Sequence, residues 1–215
     1  MNFFDYVADN SSRIIFLLMQ HIEVVLIAVV IATIISLILA VATENFPSFR
    51  KAALSVSGTI LTIPSFALFG LMIPLFGLGV VPTVIALTVY AVFPILRNAV
   101  TGLETVDPGV IDAARGMGMG SWQRLWRIRV PLAWPVILNG IRVATIMVVA
   151  IAAIGAAVRG PGLGELIFRG LSRMGGANAL NEALAGVVAI VAVAAILDVL
   201  FIVIGRISTP RGLHV

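Results

Sequence analysis

Between two apolar blocks the chain reads DPGVIDAARGMGMGSWQRLWRIRVP, from Asp107 to Pro131. Asp107 and Pro108 predict the start of a helix, because the carboxylate can accept from free backbone N–H groups and proline has no N–H to leave unpaired. The three glycines that follow are expected to end this helix. Ser121 is predicted to cap a second short helix, which is basic, carries two tryptophans and suits a membrane surface.

The composition of the 215 residues predicts a membrane protein. Hydrophobic residues make up 60% of the chain and charged residues 11%, which leaves too little polar surface to cover a water-soluble globule. The formal net charge of +4 comes from basic residues beside apolar blocks, where they orient helices, so no nucleic-acid partner is expected. Cysteine is absent, which excludes a disulfide framework and a thiolate metal site.

The apolar blocks predict an all-α membrane protein, a polytopic bundle of about five transmembrane helices. Pro64 and Pro74 are expected to interrupt the second helix. Met1 to Ser12 lacks the basic region of a signal peptide and is interpreted as an exposed end. All 215 residues are assigned to one transmembrane domain. Its predicted spans are about 24–42, 52–76, 83–96, 134–157 and 184–204, with the polar insert in a loop at 102–131.

The distribution of lysine and arginine predicts the orientation of the chain. If the first loop, the polar insert and the C-terminus share one side, that side carries ten of the fourteen basic residues. The other side then carries only Arg13, Arg159, Arg169 and Arg173. Because cytoplasmic loops are enriched in basic residues, the insert and the C-terminus are expected in the cytoplasm and the N-terminus outside.

The insert resembles the hallmark of the permease subunits of bacterial binding-protein-dependent ABC importers. That hallmark is Glu-Ala-Ala, three residues, Gly, nine residues and Ile-x-Leu-Pro, and the spacing here is complete with Asp in place of Glu and Val in place of Leu. The resemblance implies a coupling helix that lies in a groove of a cytoplasmic ATPase. An ordinary amphipathic loop is the alternative. The residues that carry the implied coupling role are Asp112, Ala113, Ala114, Gly118, Ile128 and Pro131.

Two further stretches resemble permeases for quaternary-ammonium osmoprotectants such as glycine betaine, carnitine and choline. They read TIPSFALFGLMIPL at 62–75 and GLGELIFRG at 162–170. The resemblance implies a separate ATPase subunit, an extracytoplasmic binding protein and a second permease subunit, identical or similar, in the bacterial cytoplasmic membrane. A permease for methionine or another amino acid remains an alternative, because the coupling motif is shared across substrates. A secondary transporter and a structural membrane scaffold also remain open.

Catalytic motifs are missing from the sequence. A P-loop requires a lysine after its second glycine, and the only lysine is Lys51 in Phe49-Arg50-Lys51-Ala52. The chain has two histidines, and neither lies in a zinc-binding or hydrolase pattern. We therefore expect no catalytic residue, no metal and no cofactor in this subunit, with energy supplied by a separate ATPase or by an ion gradient.

A polar pathway is predicted near the middle of the membrane, where a proline-broken helix frees backbone polar groups. For each hydroxyl, a bond back to its own helix is the simpler alternative. The candidate pathway residues are Thr62, Pro64, Ser65, Thr88 and Tyr90.

Arg142 and Asp198 are charged residues inside the fourth and fifth predicted spans. At ~1.5 Å per residue, both lie roughly 10 to 12 Å from the cytoplasmic end of their helices. An unpaired charge in hydrocarbon is costly, so an ion pair that braces the two helices is predicted. The alternatives are that each charged side chain extends to the membrane surface or has a separate partner, or that the residues act in proton transfer.

Overall fold

The computed structural model describes residues 2–208, and this part of the chain is helical apart from short connections. Ten α-helices follow one another in these residues, together with a π-helical turn at Leu125–Arg129 and a 3-10 helix at Ala153–Val158. In chain order the α-helices are α1 (Phe3–Asp9), α2 (Ser11–Ala42), α3 (Pro47–Ile60), α4 (Ser65–Phe76), α5 (Val80–Glu104), α6 (Pro108–Gly116), α7 (Ser121–Arg124), α8 (Val130–Ala152), α9 (Gly164–Ser172) and α10 (Ala179–Ser208).

The long helices confirm the predicted all-α membrane fold. Within residues 2–208, four helical stretches are long and apolar enough to cross a membrane, and a bent pair of helices raises the number to five. The four are α2, α5, α10 and the continuous stretch Ser121–Val158, and the bent pair is α3 with α4. The expected number of about five spans agrees with the structure when the bent pair is counted as one span.

The N-terminal segment, predicted to be an exposed end, forms a helix that packs on the bundle, although most of residues 2–12 are exposed. α1 packs beside α10, where Phe3 and Val7 line a shared cleft with Ala185 and Ala189. Tyr6 is buried. The aromatic residues of α1 give this helix an apolar face, and the small residues of α10 allow that face to pack closely against α10. Met1 lies outside the described residues.

α2 begins at Ser11 rather than near Val24, and its 32 residues make it longer than the bilayer core requires. At ~1.5 Å per residue it extends ~48 Å, compared with ~30 Å of hydrocarbon. His21 is buried in the added part, and its Nε2 lies 3.1 Å from the carbonyl oxygen of Val149 on α8. The predicted span at 24–42 therefore covers only the second part of α2, and the first part contacts α8 through His21.

The second predicted span, 52–76, is two helices rather than one. α3 and α4 meet at a bend of 99°. Pro64 stands at the bend because it has no backbone N–H for a continuing helix, whereas Pro74 lies inside α4 without ending it. The hydroxyl of Tyr90 on α5 donates to the carbonyl of Ile63 at 2.6 Å. A residue distant in the sequence thus fixes the bend against the next span.

The third and fourth spans are longer than predicted, because their helices continue beyond the apolar residues. α5 runs to Glu104, past the predicted end at residue 96. The second short helix is not separate, since α7, the π-helical turn and α8 are continuous, and Gly120 rather than Ser121 is the N-cap residue. The π-helical turn precedes Pro131, which cannot donate to the carbonyl of Arg127 four residues earlier. A local widening of the helix therefore replaces the predicted helix end.

α5 forms the centre of the bundle and packs between α2 and α8. Leu87, Ile95 and Ile137 are completely buried in the shared core. Gly140 permits a close approach of α8 to α5, because a Cβ at this position would lie 3.0 Å from the carbonyl oxygen of Pro94. The packing of these three helices places the remaining elements around them.

Ion pairs at the helix termini define two ends of the bundle. At the end that carries α6 and α7, here called the insert end, Glu44 after α2 pairs with Arg129 before α8. Arg50 of α3 pairs with Glu104 of α5 at the same end, with an N–O distance of 2.9 Å. At the opposite end, Arg13 joins the starts of α2, α9 and α10. Successive spans therefore alternate in direction between the two ends.

Candidate functional site

The insert is built around α6, the predicted coupling helix. Asp107 caps it as expected, with Oδ1 accepting from a backbone N–H two residues later at 2.7 Å. Ala114 is 0% exposed, while Asp112 and Ala113 are exposed. The carbonyl of Ala114 also accepts from the N–H of Met119 at 3.1 Å. One side of α6 thus holds the insert together, and the other side is open to a partner.

Gly118 turns the chain after α6 in a left-handed backbone conformation, with φ of +82°. A side chain at this position would meet no atom within 4 Å, so glycine is required by the backbone conformation and not by lack of space. Other L-residues adopt this conformation at a cost of ~1–2 kcal/mol, and proline cannot adopt it. Ile128 and Pro131 lie further along, in the π-helical turn and at the start of α8. The motif residues are therefore spread along the insert rather than gathered in one pocket.

Arg129 fastens the insert to two spans, although sequence reasoning gave it no role. Its Nη1 pairs with Glu44 after α2, and its Nη2 donates to the carbonyl of Leu103 in α5 at 3.1 Å. The side chain is only 15% exposed. The hallmark spacing leaves this position free, so the motif did not indicate it. The one available signal was Glu44, an acidic residue in the predicted first loop.

Three of the candidate pathway residues lie at the bend between α3 and α4. Thr62 and Pro64 are exposed, and Ser65 is half-buried at the first position of α4. The hydroxyl of Thr62 donates to the carbonyl of Thr59 at 2.7 Å. The bend therefore presents a short polar surface, on which the hydroxyl of Thr62 bonds to a carbonyl of its own segment.

The other two candidates, Tyr90 and Thr88, are buried on α5. The hydroxyl of Tyr90 donates to the carbonyl of Ile63, and the hydroxyl of Thr88 lies 3.4 Å from the carbonyl oxygen of Ala28 on α2. Tyr90 thus belongs to the same region as the bend, whereas Thr88 lies at the contact between α2 and α5.

Arg142 of α8 and Asp198 of α10 form a two-point ion pair. The Nε–Oδ1 distance is 2.6 Å and the Nη2–Oδ2 distance is 2.8 Å. The planar guanidinium group matches the two carboxylate oxygens in this geometry. The contact therefore fixes the relative orientation of the two side chains in addition to pairing their charges. The side chains are 34% and 30% exposed in the single chain. The pair links α8 to α10 inside the predicted membrane region.

A charged network joins the helix starts at the opposite end. The Nη atoms of Arg13 lie 2.7 Å from Glu165 and 3.3 Å from Glu182, and the Nε of Arg169 lies 3.2 Å from the same Glu182 oxygen. Glu182 is 6% exposed. Burial of a carboxylate is tolerated here because two guanidinium groups surround it. The network holds α2, α9 and α10 together.

An open cavity of about 750 Å³ lies beside this network. Phe16 and Phe168 form part of its wall, and three arginines line it: Arg159, Arg169 and Arg173. Within residues 2–208, Arg159 and Arg173 form no ion pair, and Glu165 in the same wall is already paired with Arg13. Arg159 also adopts a left-handed conformation with φ of 57°, which is uncommon for a residue with a side chain. The cavity therefore carries an excess of positive charge.

The architecture matches that of chains in solved ABC transporters. The chain superimposes on the inward-facing methionine ABC transporter MetNI with a TM-score of 0.79 and 23% identity, over 92% of this chain and 96% of that chain. It also superimposes on an amino acid ABC transporter whose crystal structure contains histidines, with a TM-score of 0.71 and 20% identity, over 96% and 97% of the two chains. At these identities the likeness shows the fold alone.

Sequence comparison defines the family. Residues 32–212 match the family of binding-protein-dependent transport system inner membrane components, and the chain belongs to this family. It is 38% identical to the osmoprotectant import permease protein OsmW of Salmonella typhimurium, over 100% of both chains. It is 33% identical to the glycine betaine/carnitine/choline transport system permease protein OpuCB of Bacillus subtilis, over 97% of this chain and 94% of that protein. Membership confirms the resemblance seen in the motif and makes this chain a multi-pass component of the inner membrane.

Proposed function

We propose that this chain is the permease subunit of an ABC importer for a quaternary-ammonium osmoprotectant such as glycine betaine, choline or carnitine. The observation that carries the proposal is the 38% identity, along the whole of both chains, to an osmoprotectant import permease. A relative named for choline transport is 31% identical over 97% of this chain. The substrates in these names share a quaternary ammonium group, so one pathway chemistry suits them all.

A permease for methionine or another amino acid is the second candidate. It is favoured by the fold shared with a methionine transporter at a TM-score of 0.79. That likeness comes with 23% identity and concerns the architecture, whereas the sequence relatives above point to osmoprotectants. A secondary transporter receives no support from family membership.

Uptake of labelled glycine betaine is the direct test of the proposed substrate class. Cells grown at high salt with and without this chain are compared, and methionine uptake is measured beside it. We expect loss of the betaine signal alone. Unchanged betaine uptake with a fall in methionine uptake would keep the ABC permease class and overturn the proposed substrate.

The same proposal includes the assembly. The whole chain, 1–215, acts as one transmembrane domain with the insert end in the cytoplasm and the N-terminus outside, as the distribution of basic residues favours. A separate ATPase binds α6 at the insert end, a binding protein docks at the opposite end, and a second permease subunit completes the pathway. The bend, with Thr62 and Pro64 exposed and Ser65 half-buried, forms the polar part of that pathway.

Coupling depends on how firmly the insert is attached to the spans. α6 contacts the ATPase through its exposed side, which includes Asp112 and Ala113. Arg129 carries the resulting movement to α2 and α5, because it bonds Glu44 and the carbonyl of Leu103 at once. A short stiff helix and a half-buried ionic bridge transmit displacement better than a mobile loop.

Replacing Arg129 with lysine is expected to lower uptake per ATP hydrolysed. Lysine keeps the charge but cannot hold Glu44 and the carbonyl of Leu103 together through a rigid fork, so one charged hydrogen bond worth ~1.5–3 kcal/mol is lost. The ratio is measured in proteoliposomes that contain the complete transporter. Arg50→Lys is the matched control, because its pair with Glu104 is more exposed and contributes less. An unchanged ratio in Arg129→Lys would contradict the bridging role.

The binding protein is proposed to dock over the arginine-lined cavity at the opposite end. Its excess of positive charge suits a partner surface rich in carboxylates, and such complementarity mainly accelerates association. Arg159 and Arg173 are free to take part, since neither has an ionic partner within residues 2–208.

Reversing both charges, as Arg159→Glu with Arg173→Glu, is expected to raise the concentration of binding protein that gives half-maximal ATPase activity. The effect should shrink at high salt, because exposed charges are screened over ~8–10 Å at ordinary ionic strength. Arg206→Glu, a single charge reversal at the end of α10, is the control. If the double variant and the control respond alike to binding protein, docking does not use this cavity.

A further inference from the structure

A second cavity, of about 320 Å³, lies at the insert end between α2, α5 and the start of the Ser121–Val158 stretch. Leu37, Val41 and Leu103 line it together with the two tryptophans of the insert, Trp122 and Trp126. The two indole rings meet edge to face with centroids 5.6 Å apart, and the residues are 68% and 50% exposed. We call this space the tryptophan cavity.

The wall of the tryptophan cavity does not suit ordered water. Every residue in its wall is aliphatic or aromatic. An ordered water needs about two to four polar partners, and its share of volume is ~30 Å³, about a tenth of this space. The cavity would therefore be occupied by an apolar group.

The tryptophan cavity is continuous with an exposed apolar side of α2. Val30, Ile34 and Ile38 form part of the exposed apolar surface of this helix, and Ile38 also lines the cavity. In a multi-pass membrane protein such a surface is covered by acyl chains, and tryptophan is enriched where acyl chains meet the headgroups. An acyl chain that follows α2 reaches the cavity without crossing water.

Unpaired positive charge lies in the same segment of the chain as the tryptophans. The insert contains four arginines, of which Arg124 and Arg129 are bonded to other parts of the chain. The side chains of Arg115 and Arg127 are exposed and have no ionic partner within residues 2–208. Arg127 directly follows Trp126 in the sequence. A free guanidinium at headgroup level attracts a phosphate and favours anionic lipids.

We propose that the tryptophan cavity is a binding site for an anionic phospholipid, with one acyl chain between Trp122, Trp126 and α2 and with the phosphate bound by Arg127. The site adds a role that the transport function does not include. It attaches the insert to the bilayer as well as to the spans. The proposal does not depend on which solute is transported.

Brominated lipids provide the test, because bromine quenches tryptophan fluorescence on contact. The complete transporter, with its ATPase, is reconstituted in vesicles that contain dibrominated phosphatidylglycerol or dibrominated phosphatidylcholine at equal mole fraction. The chain has three tryptophans, Trp122, Trp126 and Trp134. Subtracting the signal of a Trp122→Phe, Trp126→Phe double variant isolates the pair at the cavity from Trp134 and from the tryptophans of other subunits.

The expected result is strong quenching of the isolated signal, with a preference of about fivefold for phosphatidylglycerol, which corresponds to ~1 kcal/mol for one arginine at the membrane surface. Arg127→Gln should abolish the preference, and Arg206→Gln should leave it intact. Equal quenching by the two lipids, unaffected by Arg127→Gln, would mean that the tryptophans contact only the unselective lipid around the protein. This result would overturn the proposal. Absence of quenching would mean that protein covers the cavity, which overturns it as well.

Discussion

Gly118→Pro is expected to abolish ATP-driven uptake while leaving the chain inserted in the membrane. Gly118 has φ of +82°, whereas proline is fixed near −65°, so the turn after α6 cannot form. The change also removes the N–H that donates to the carbonyl of Arg115 at 3.0 Å. A cost of ~3 kcal/mol or more corresponds to at least a hundredfold loss of the correctly folded insert. Insertion should persist because the change lies outside the apolar spans.

Two matched variants separate backbone conformation from side-chain bulk. Gly118→Ala should give an intermediate loss, from the ~1–2 kcal/mol that a left-handed conformation costs an ordinary residue. Gly116→Ala should be neutral, since Gly116 has no positive φ and no atom lies within 4 Å of the added methyl group. Membrane abundance and uptake in proteoliposomes are the measurements. Normal uptake in Gly118→Pro would contradict the proposal that this turn takes part in coupling.

Asp198→Arg is expected to deplete the folded protein. The change places two positive charges together where Arg142 now has a two-point carboxylate partner. Breaking one side of a pair leaves a charge in hydrocarbon without a partner, which is more damaging than removing both. The double change Arg142→Asp with Asp198→Arg should therefore recover folded protein.

Neutral variants provide an independent comparison for the same pair. Asp198→Asn alone should reduce the heat resistance of the detergent-solubilised protein more than Arg142→Gln with Asp198→Asn does. Gel filtration after a heating series measures the folded fraction. A charge-swapped protein as depleted as the single reversal, together with equal loss in the two neutral variants, would contradict the bracing role of the pair.

The sequence predicted the number of spans and the all-α type well, and the number of helices and their boundaries less well. Apolar length located the spans because a bilayer imposes it, but α5 and α8 extend beyond their apolar residues into the insert end, where hydropathy no longer distinguishes helix from loop. Pro64 indicated a break but not an angle of 99°, which depends in part on the bond from Tyr90 to Ile63. The fold of the N-terminus depended on contacts with α10 that no local pattern contains.

The site residues were predictable where motif spacing or a charged residue inside a span indicated them. Motif spacing drew attention to Ala114 and Gly118, and depth in the spans suggested the contact between Arg142 and Asp198. Arg129 was missed because its partners, Glu44 and the carbonyl of Leu103, come from helices far apart in the sequence. Likewise, the pairing of Arg13 with Glu165 and Glu182, 152 and 169 residues away, is visible only in three dimensions.

α2 is held by ionic contacts near both of its ends, through Arg13 at one end and through Glu44, just after the helix, at the other. Between them it is one uninterrupted helix of 32 residues, ~48 Å long. Such a rod works as a mechanical linkage: a tilt of ~5° about one anchor displaces the other by ~4 Å, with no bending of the helix required. In the proposed assembly, closure of the ATPase at the insert end would therefore reach the proposed docking face at the opposite end as a rigid rotation, on the microsecond-to-millisecond timescale of such motions.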